Sequence, residues 1–136
     1  MNASNVWDQA LGIPQKPLMG PQQWRDWLSA GMDIGSHTRY HCDLTKLDKA
    51  TAWHEIAESK RELERVLGCE VRHFCYPYGK YENEHLQMVM DAGYISATTT
   101  NYGKFQPGDS LATLRRVMVK GSMNLANFLW KTVYQH

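Results

Sequence analysis

Helical and strand-like spacings of apolar residues alternate from about residue 20 onward. Pro21 stands where a first-turn proline belongs, Trp24, Trp27 and Leu28 share one helical face, and Gly31 stops the segment. Met32 to Gly35 is strand-like. Asp48 is placed to cap a long helix with the stripe Ala52, Ile56, Ser59, Leu63 and Val66-Leu67, closed by Gly68. Val71 to Tyr76 predicts a strand ending at the turn Pro77-Tyr78-Gly79. Asn83 is the expected cap of a helix carrying Leu86, Val89 and Met90, which Gly93 terminates. Tyr94 to Thr100, rich in β-branched residues, predicts another strand, and Asn101 to Asp109, with Gly103, Pro107 and Gly108, a loop. Leu114 to Val119 is a further strand, and Ser122 is the expected cap of a last helix with Leu125, Phe128 and Leu129. Such alternation implies parallel strands covered by helices, an α/β fold.

Length and charge narrow this picture. A chain of 136 residues suits one domain with one core. The net charge is +1 and the basic residues form no stripe, which argues against a nucleic-acid partner. Lys60-Arg61, set among Glu55, Glu58, Glu62 and Glu64, is expected to lie on a solvated helix face. Cys42, Cys69 and Cys75 have neither the spacing of a zinc ribbon nor that of a disulfide framework. Met1 to Asn5 has no basic or apolar leader pattern, so no signal peptide is expected, and no apolar run approaches the roughly 20 residues of a membrane span.

The candidate chemistry centres on His37 and His41, four apart at the exit of the Met32–Gly35 strand. Neutral imidazole is a common ligand of divalent transition metals, and a helical turn after Gly35 would put both rings on one face. Asp33 is expected to point away from the pair, while Asp43 could orient an imidazole. His54-Glu55 is no zinc-protease motif, because position 58 is Glu. His54 reads as solvent-facing, and His73 and His85 as structural. Trp24, Trp27 and Trp130 are expected in the core, whereas the loop setting of Trp7 leaves a sugar-stacking role open. Arg116, at the centre of its strand, could pair with a buried carboxylate.

Ile34-Gly35-Ser36-His37-Thr38-Arg39-Tyr40-His41, Asp43-Leu44, Phe74-Cys75-Tyr76-Pro77-Tyr78-Gly79, Asp91-Ala92-Gly93-Tyr94 and Leu114-Arg115-Arg116-Val117 together resemble the polysaccharide deacetylases, carbohydrate esterase family 4. The resemblance covers roughly residues 18 to 119. It implies a distorted (β/α) barrel that holds a metal at its strand ends through one Asp and two His, with a second Asp as base. His37 and His41 match the metal histidines. The paired aspartates belong to an early Phe-Asp-Asp-Gly segment that this sequence does not contain, so an incomplete barrel lacking its first strands is expected, with residues 1–136 forming one partial domain. Cys75 stands where many members carry Arg, and Val133-Tyr134-Gln135-His136 is a poor match to the family's late Leu-x-x-His.

The activity implied is removal of N-acetyl groups from a polysaccharide or amidosugar, with Zn²⁺ or another divalent transition metal as cofactor. Within that reading the Tyr78 N–H faces the oxyanion, because Pro77 has none to offer, and Pro77, Tyr78 and Arg116 contact substrate. Two alternatives stand beside it. One is a non-catalytic remnant that binds a glycan or another protein, and the other an unrelated metallohydrolase built on the His pair. Exposed strand edges and apolar faces predict a homo-oligomer. The family usually acts outside the cytoplasm, and the sequence assigns no compartment.

Overall fold

The structure, a computed structural model, describes residues 4–134. Its helices are α1 (Pro21–Ser29), α2 (Lys49–Leu67), α3 (Asn83–Asp91) and α4 (Leu125–Leu129), and its strands β1 (His73–Cys75), β2 (Ser96–Tyr102) and β3 (Leu114–Arg116). The strands form one parallel sheet in the order β1-β2-β3, with His73 opposite Ser96 and Thr98 opposite Leu114. The crossover from β1 to β2 runs through α3, as a parallel pair requires. On the outer side of β1, Ser36 makes a single parallel bridge to Phe74, donating its N–H to the His73 carbonyl (2.8 Å) and accepting from the Cys75 N–H (2.9 Å). The result is an open arc of parallel sheet with helices packed on it.

The α2 helix explains how this sequence builds a core. The Asp48 carboxylate accepts from the Ala50 and Thr51 N–H groups at 3.0 Å, and Gly68 closes the helix at φ 72°, in the left-handed region. Between these caps, Ala52 and Ile56 are buried to 0 % exposure against Phe74, Tyr76, Val89 and Tyr94. Burying each large apolar side chain there contributes about 1.5–3 kcal/mol. Beneath the helix, Ser36 Oγ meets Ser59 Oγ at 2.7 Å, and Tyr94 donates to the Ile56 carbonyl at 3.1 Å. The polar groups at the sheet's edge are thereby paired.

Several elements depart from the sequence expectations. The Met32–Gly35 strand reduces to the bridge at Ser36, since Asp33 Oδ1 takes the Ile34 N–H and so competes with a ladder. β2 begins and ends two residues later than expected, and β3 stops at Arg116. Glu82, not Asn83, caps α3, donating its N–H to Nδ1 of the buried His85, and Asn124, not Ser122, caps α4 by accepting from the Asn127 N–H at 2.8 Å. Lys60 is buried rather than solvated, because its ammonium reaches inward to the Val71 carbonyl and pairs with Glu64 at 2.9 Å. Trp27 and Trp130 are 46 % and 61 % exposed, so neither belongs to the core, and α1 and α4 bury no residue fully.

Candidate functional site

Ser36 and β1 run side by side in parallel, so the segments that leave their carboxyl ends emerge together. One carries His37 and His41, the other Pro77, Tyr78 and Gly79. This is the end of a parallel sheet at which α/β proteins bind ligands.

The two imidazoles do meet, though not through a helical turn. Thr38 (φ 64°) and His41 (φ 55°) are left-handed, and the segment is a loop. Its shape is held from α2. Glu55 Oε2 accepts the N–H groups of Arg39 (2.9 Å) and Tyr40 (3.1 Å), and the Arg39 guanidinium pairs with Glu62 at 2.7 Å. Burial, followed by the neighbouring Glu55, pushes the Cys42 thiol up to about 11, so this side of the loop is a neutral thiol packed on a carboxylate. Satisfied backbone donors offset the strain of two left-handed non-glycine residues, about 1–3 kcal/mol each.

His37 Nδ1 lies 2.6 Å from the Cys75 carbonyl oxygen. A carbonyl only accepts, so the proton resides on Nδ1 and Nε2 keeps a lone pair. Protein packed around His37 lowers its pKa although the ring reaches solvent; the hydrogen bonding to Cys75 outweighs this, leaving it above its ordinary value. At Cys75 burial acts to raise the thiol, but His37 and Thr98 overcome it and hold it below the usual range. His41 Nδ1 lies 3.2 Å from the Tyr78 hydroxyl. The His37 and His41 ring centroids are 4.8 Å apart, and the Trp7 indole stacks on His41 at 4.8 Å and 23°.

Trp7 reaches this position on a short 3-10 helix, Val6–Leu11, rather than in the expected loop, and the chain on either side of it is stapled. Ser4 bridges Pro17, and Asn5 Oδ1 accepts the Lys16 N–H at 2.6 Å. Opposite it, Tyr78 is left-handed (φ 58°), and a Cβ on Gly79 would lie 2.0 Å from Thr100 Oγ1, so this turn tolerates only glycine there. Asp43 does not orient an imidazole. Its carboxylate accepts from Thr45 Oγ1 (2.7 Å) and Lys80 Nζ (2.7 Å), tethering the histidine loop to the Pro-Tyr-Gly turn. Asp33 faces Arg72 and His73, away from the His pair as expected. Among the described residues Arg116 pairs with no buried carboxylate. It is exposed, donates from Nε to the Thr99 carbonyl, and stands close enough for its charge to lower both His37 and Cys75.

A shared ion sits about 2.0–2.1 Å from each imidazole nitrogen, which places two ligating rings roughly 5 Å apart. The ring spacing leaves room for a shared ion, and the Nδ1-protonated state of His37 leaves its Nε2 lone pair available to one. Among the described residues no group of three or more His, Cys, Asp or Glu side chains gathers to hold one, so the fit is that of a two-histidine half-site. His136 lies outside the described residues. Glu55 and Lys80 were missed from sequence. Glu55 falls three residues after Ala52 and four before Ser59, on the buried face, a spacing that could have revealed it.

The polysaccharide deacetylase family model matches residues 2–97. The chain belongs to that family. YxkH of Bacillus subtilis (strain 168), which carries a polysaccharide deacetylase name, is 28% identical over 116 residues, covering 85% of this chain and 42% of YxkH. The Streptococcus pyogenes deacetylase PplD, solved in complex with acetate, superimposes with a TM-score of 0.81 at 26% identity, over 85% of this chain and 51% of PplD. BC0361, a polysaccharide deacetylase from Bacillus cereus, shares the fold with a TM-score of 0.77 at 24% identity, over 85% of this chain and 37% of its own. The chain thus spans about half or less of these relatives. Its α/β sheet is an incomplete barrel of the deacetylase type, and the reading as an unrelated metallohydrolase falls away. Among the described residues no helix is long and apolar enough to cross a membrane.

Proposed function

We propose that this polysaccharide deacetylase chain forms part of a metal-dependent hydrolase that releases acetate from an N-acetylated polysaccharide or amidosugar. The observation that carries the reading is the convergence of His37, His41 and Tyr78 at the strand ends, with His37 Nε2 left as a lone pair by the Nδ1–Cys75 contact. His37 and His41 would hold a Zn²⁺-like ion, which would supply Lewis acidity and lower the pKa of a water there. Cys75 fixes the His37 tautomer and Glu55 shapes the loop. The Tyr78 N–H, in a turn stiffened by Pro77, stabilises the developing oxyanion, and Arg116 orients the glycan. That PplD was solved with acetate, the product of such a reaction, supports a deacetylase reading of the same fold.

The test is acetate release from N-acetylglucosamine oligomers by zinc-loaded protein and by the His37→Ala/His41→Ala variant. Zinc-dependent release confined to the unaltered protein is expected; equal release from both contradicts the assignment. A second reading, a non-catalytic glycan-binding or protein-interaction module, is favoured by the two-ligand half-site. It predicts glycan binding without acetate. A homo-oligomer belongs to either reading, because α1, α4 and the residue after it leave Trp27, Leu129 and Trp130 exposed. Sedimentation at micromolar concentration checks it, and a monodisperse monomer contradicts it.

A further inference from the structure

Beyond β2 and β3, at the same end of the sheet as the histidines, lies an open cleft of about 510 Å³. That volume falls within the roughly 300–1,000 Å³ usual for small-ligand sites. Its charge is one-sided. Arg116, Lys120 and Lys131 line it, and among the described residues no acidic one does. Among the described residues no Asp or Glu forms an ion pair with these three, whereas the adjacent Arg115 is matched by Asp109 at 3.5 Å. The walls are suited to a ring. Tyr102 is 50 % exposed with Lys131 Nζ 5.7 Å from its centroid, and Met118 and Val119 present apolar surface.

Cations around a cleft with low-dielectric walls concentrate anions, and a guanidinium matches a carboxylate or phosphate in shape as well as charge. The Arg116 Nε is occupied by the Thr99 carbonyl, which fixes the guanidinium between the cleft and the His37 side of the sheet. A half-exposed tyrosine beside apolar side chains suits the face of a pyranose, one side apolar and its edge polar. We propose that this cleft is a subsite for an anionic sugar, a residue bearing a carboxylate or phosphate, which seats a negatively charged unit of the glycan near the histidine pair. The inference deepens the deacetylase reading by naming the substrate class, and rests on it only for the word substrate.

Titration calorimetry on the whole chain tests it, with four probes: tetragalacturonate, a sugar monophosphate, the neutral N-acetylglucosamine tetramer and inorganic phosphate. The expected result is that at least one anionic sugar binds about tenfold or more tighter than both the neutral tetramer and inorganic phosphate. Which of the two does so identifies the anionic group. The preference should vanish in Lys120→Glu/Lys131→Glu and fall in Lys120→Met/Lys131→Met, changes at one exposed and one half-buried side chain whose folding is checked by melting. It should also weaken with added salt. Equal binding of neutral and anionic sugars overturns the proposal, as does a preference that survives both variants, or inorganic phosphate binding as tightly as the sugars. The His37→Ala/His41→Ala variant separates the two readings. If it keeps the anionic preference while acetate release is absent from every form, only the deacetylase assignment fails.

Discussion

Helices α1 and α2 have similar apolar patterning and opposite fates. In α2 the stripe through Ala52, Ile56 and Ser59 is buried, together with two charged groups, Glu55 and Lys60, that find partners inside. In α1 the stripe of Trp24, Trp27 and Leu28 buries nothing fully, and Trp27 is 46 % exposed. The difference lies in what each helix faces. α2 lies over the Ser36–β1–β2 part of the sheet and supplies the carboxylate that shapes the histidine loop. α1 packs chiefly against α2. An amphipathic pattern specifies a face; the rest of the chain decides whether that face has a partner.

The comparison can be broken most directly at its buried side. Ile56→Ala should cost about 2–5 kcal/mol in urea unfolding, since Ile56 is 0 % exposed, whereas Trp27→Ala should stay within about 1 kcal/mol for the isolated chain. Equal costs would mean α1 is as well packed as α2. Next in size is Glu55→Ala, which leaves the Arg39 and Tyr40 N–H groups without their acceptor and should cost about 2–3 kcal/mol, with Glu55→Gln recovering part of it. Amide exchange at those two positions should speed up in the Ala variant. No change there would remove Glu55 from the account of the loop.

The smallest effect concerns the tether between loop and turn. Lys80, then Thr45, hold the Asp43 carboxyl below its ordinary 3.8. A lowered folded-state pKa contributes stability that is present above the unfolded value and is lost as pH falls through the folded one. Asp43→Asn should therefore lower stability slightly near neutrality and flatten its loss as pH falls below the ordinary 3.8. Urea midpoints across that range measure it, and an unchanged acid limb would contradict the tether. The same substitution should leave Ile56 packing untouched, because the sites share no partner.

Much of this was legible before the structure. Asp48, Gly68 and the stripe between them set the bounds of α2, because caps and periodicity are local signals. The His-x-x-x-His spacing and the Tyr-Pro-Tyr-Gly turn located both halves of the site. The backbone of the histidine loop was not legible, since left-handed Thr38 and His41 are imposed by a carboxylate sixteen and fifteen residues from the donors it holds. Nor was the Asp43–Lys80 pair, formed across 37 residues. Sequence misplaced Lys60 because a helix face rich in charge reads as solvated, while its ammonium had a buried carbonyl within reach. Trp27 and Trp130 were misread for the converse reason: apolar residue type alone does not fix burial, and both side chains stay largely exposed.

The measurement closest to the central claim is metal content per chain, taken on protein purified and then zinc-loaded, beside the His37→Ala/His41→Ala variant with its melting checked. The account predicts near-stoichiometric zinc in the unaltered chain and its loss in the variant. Zinc absent from both proteins, or retained equally by both, would contradict a metal site built on this histidine pair.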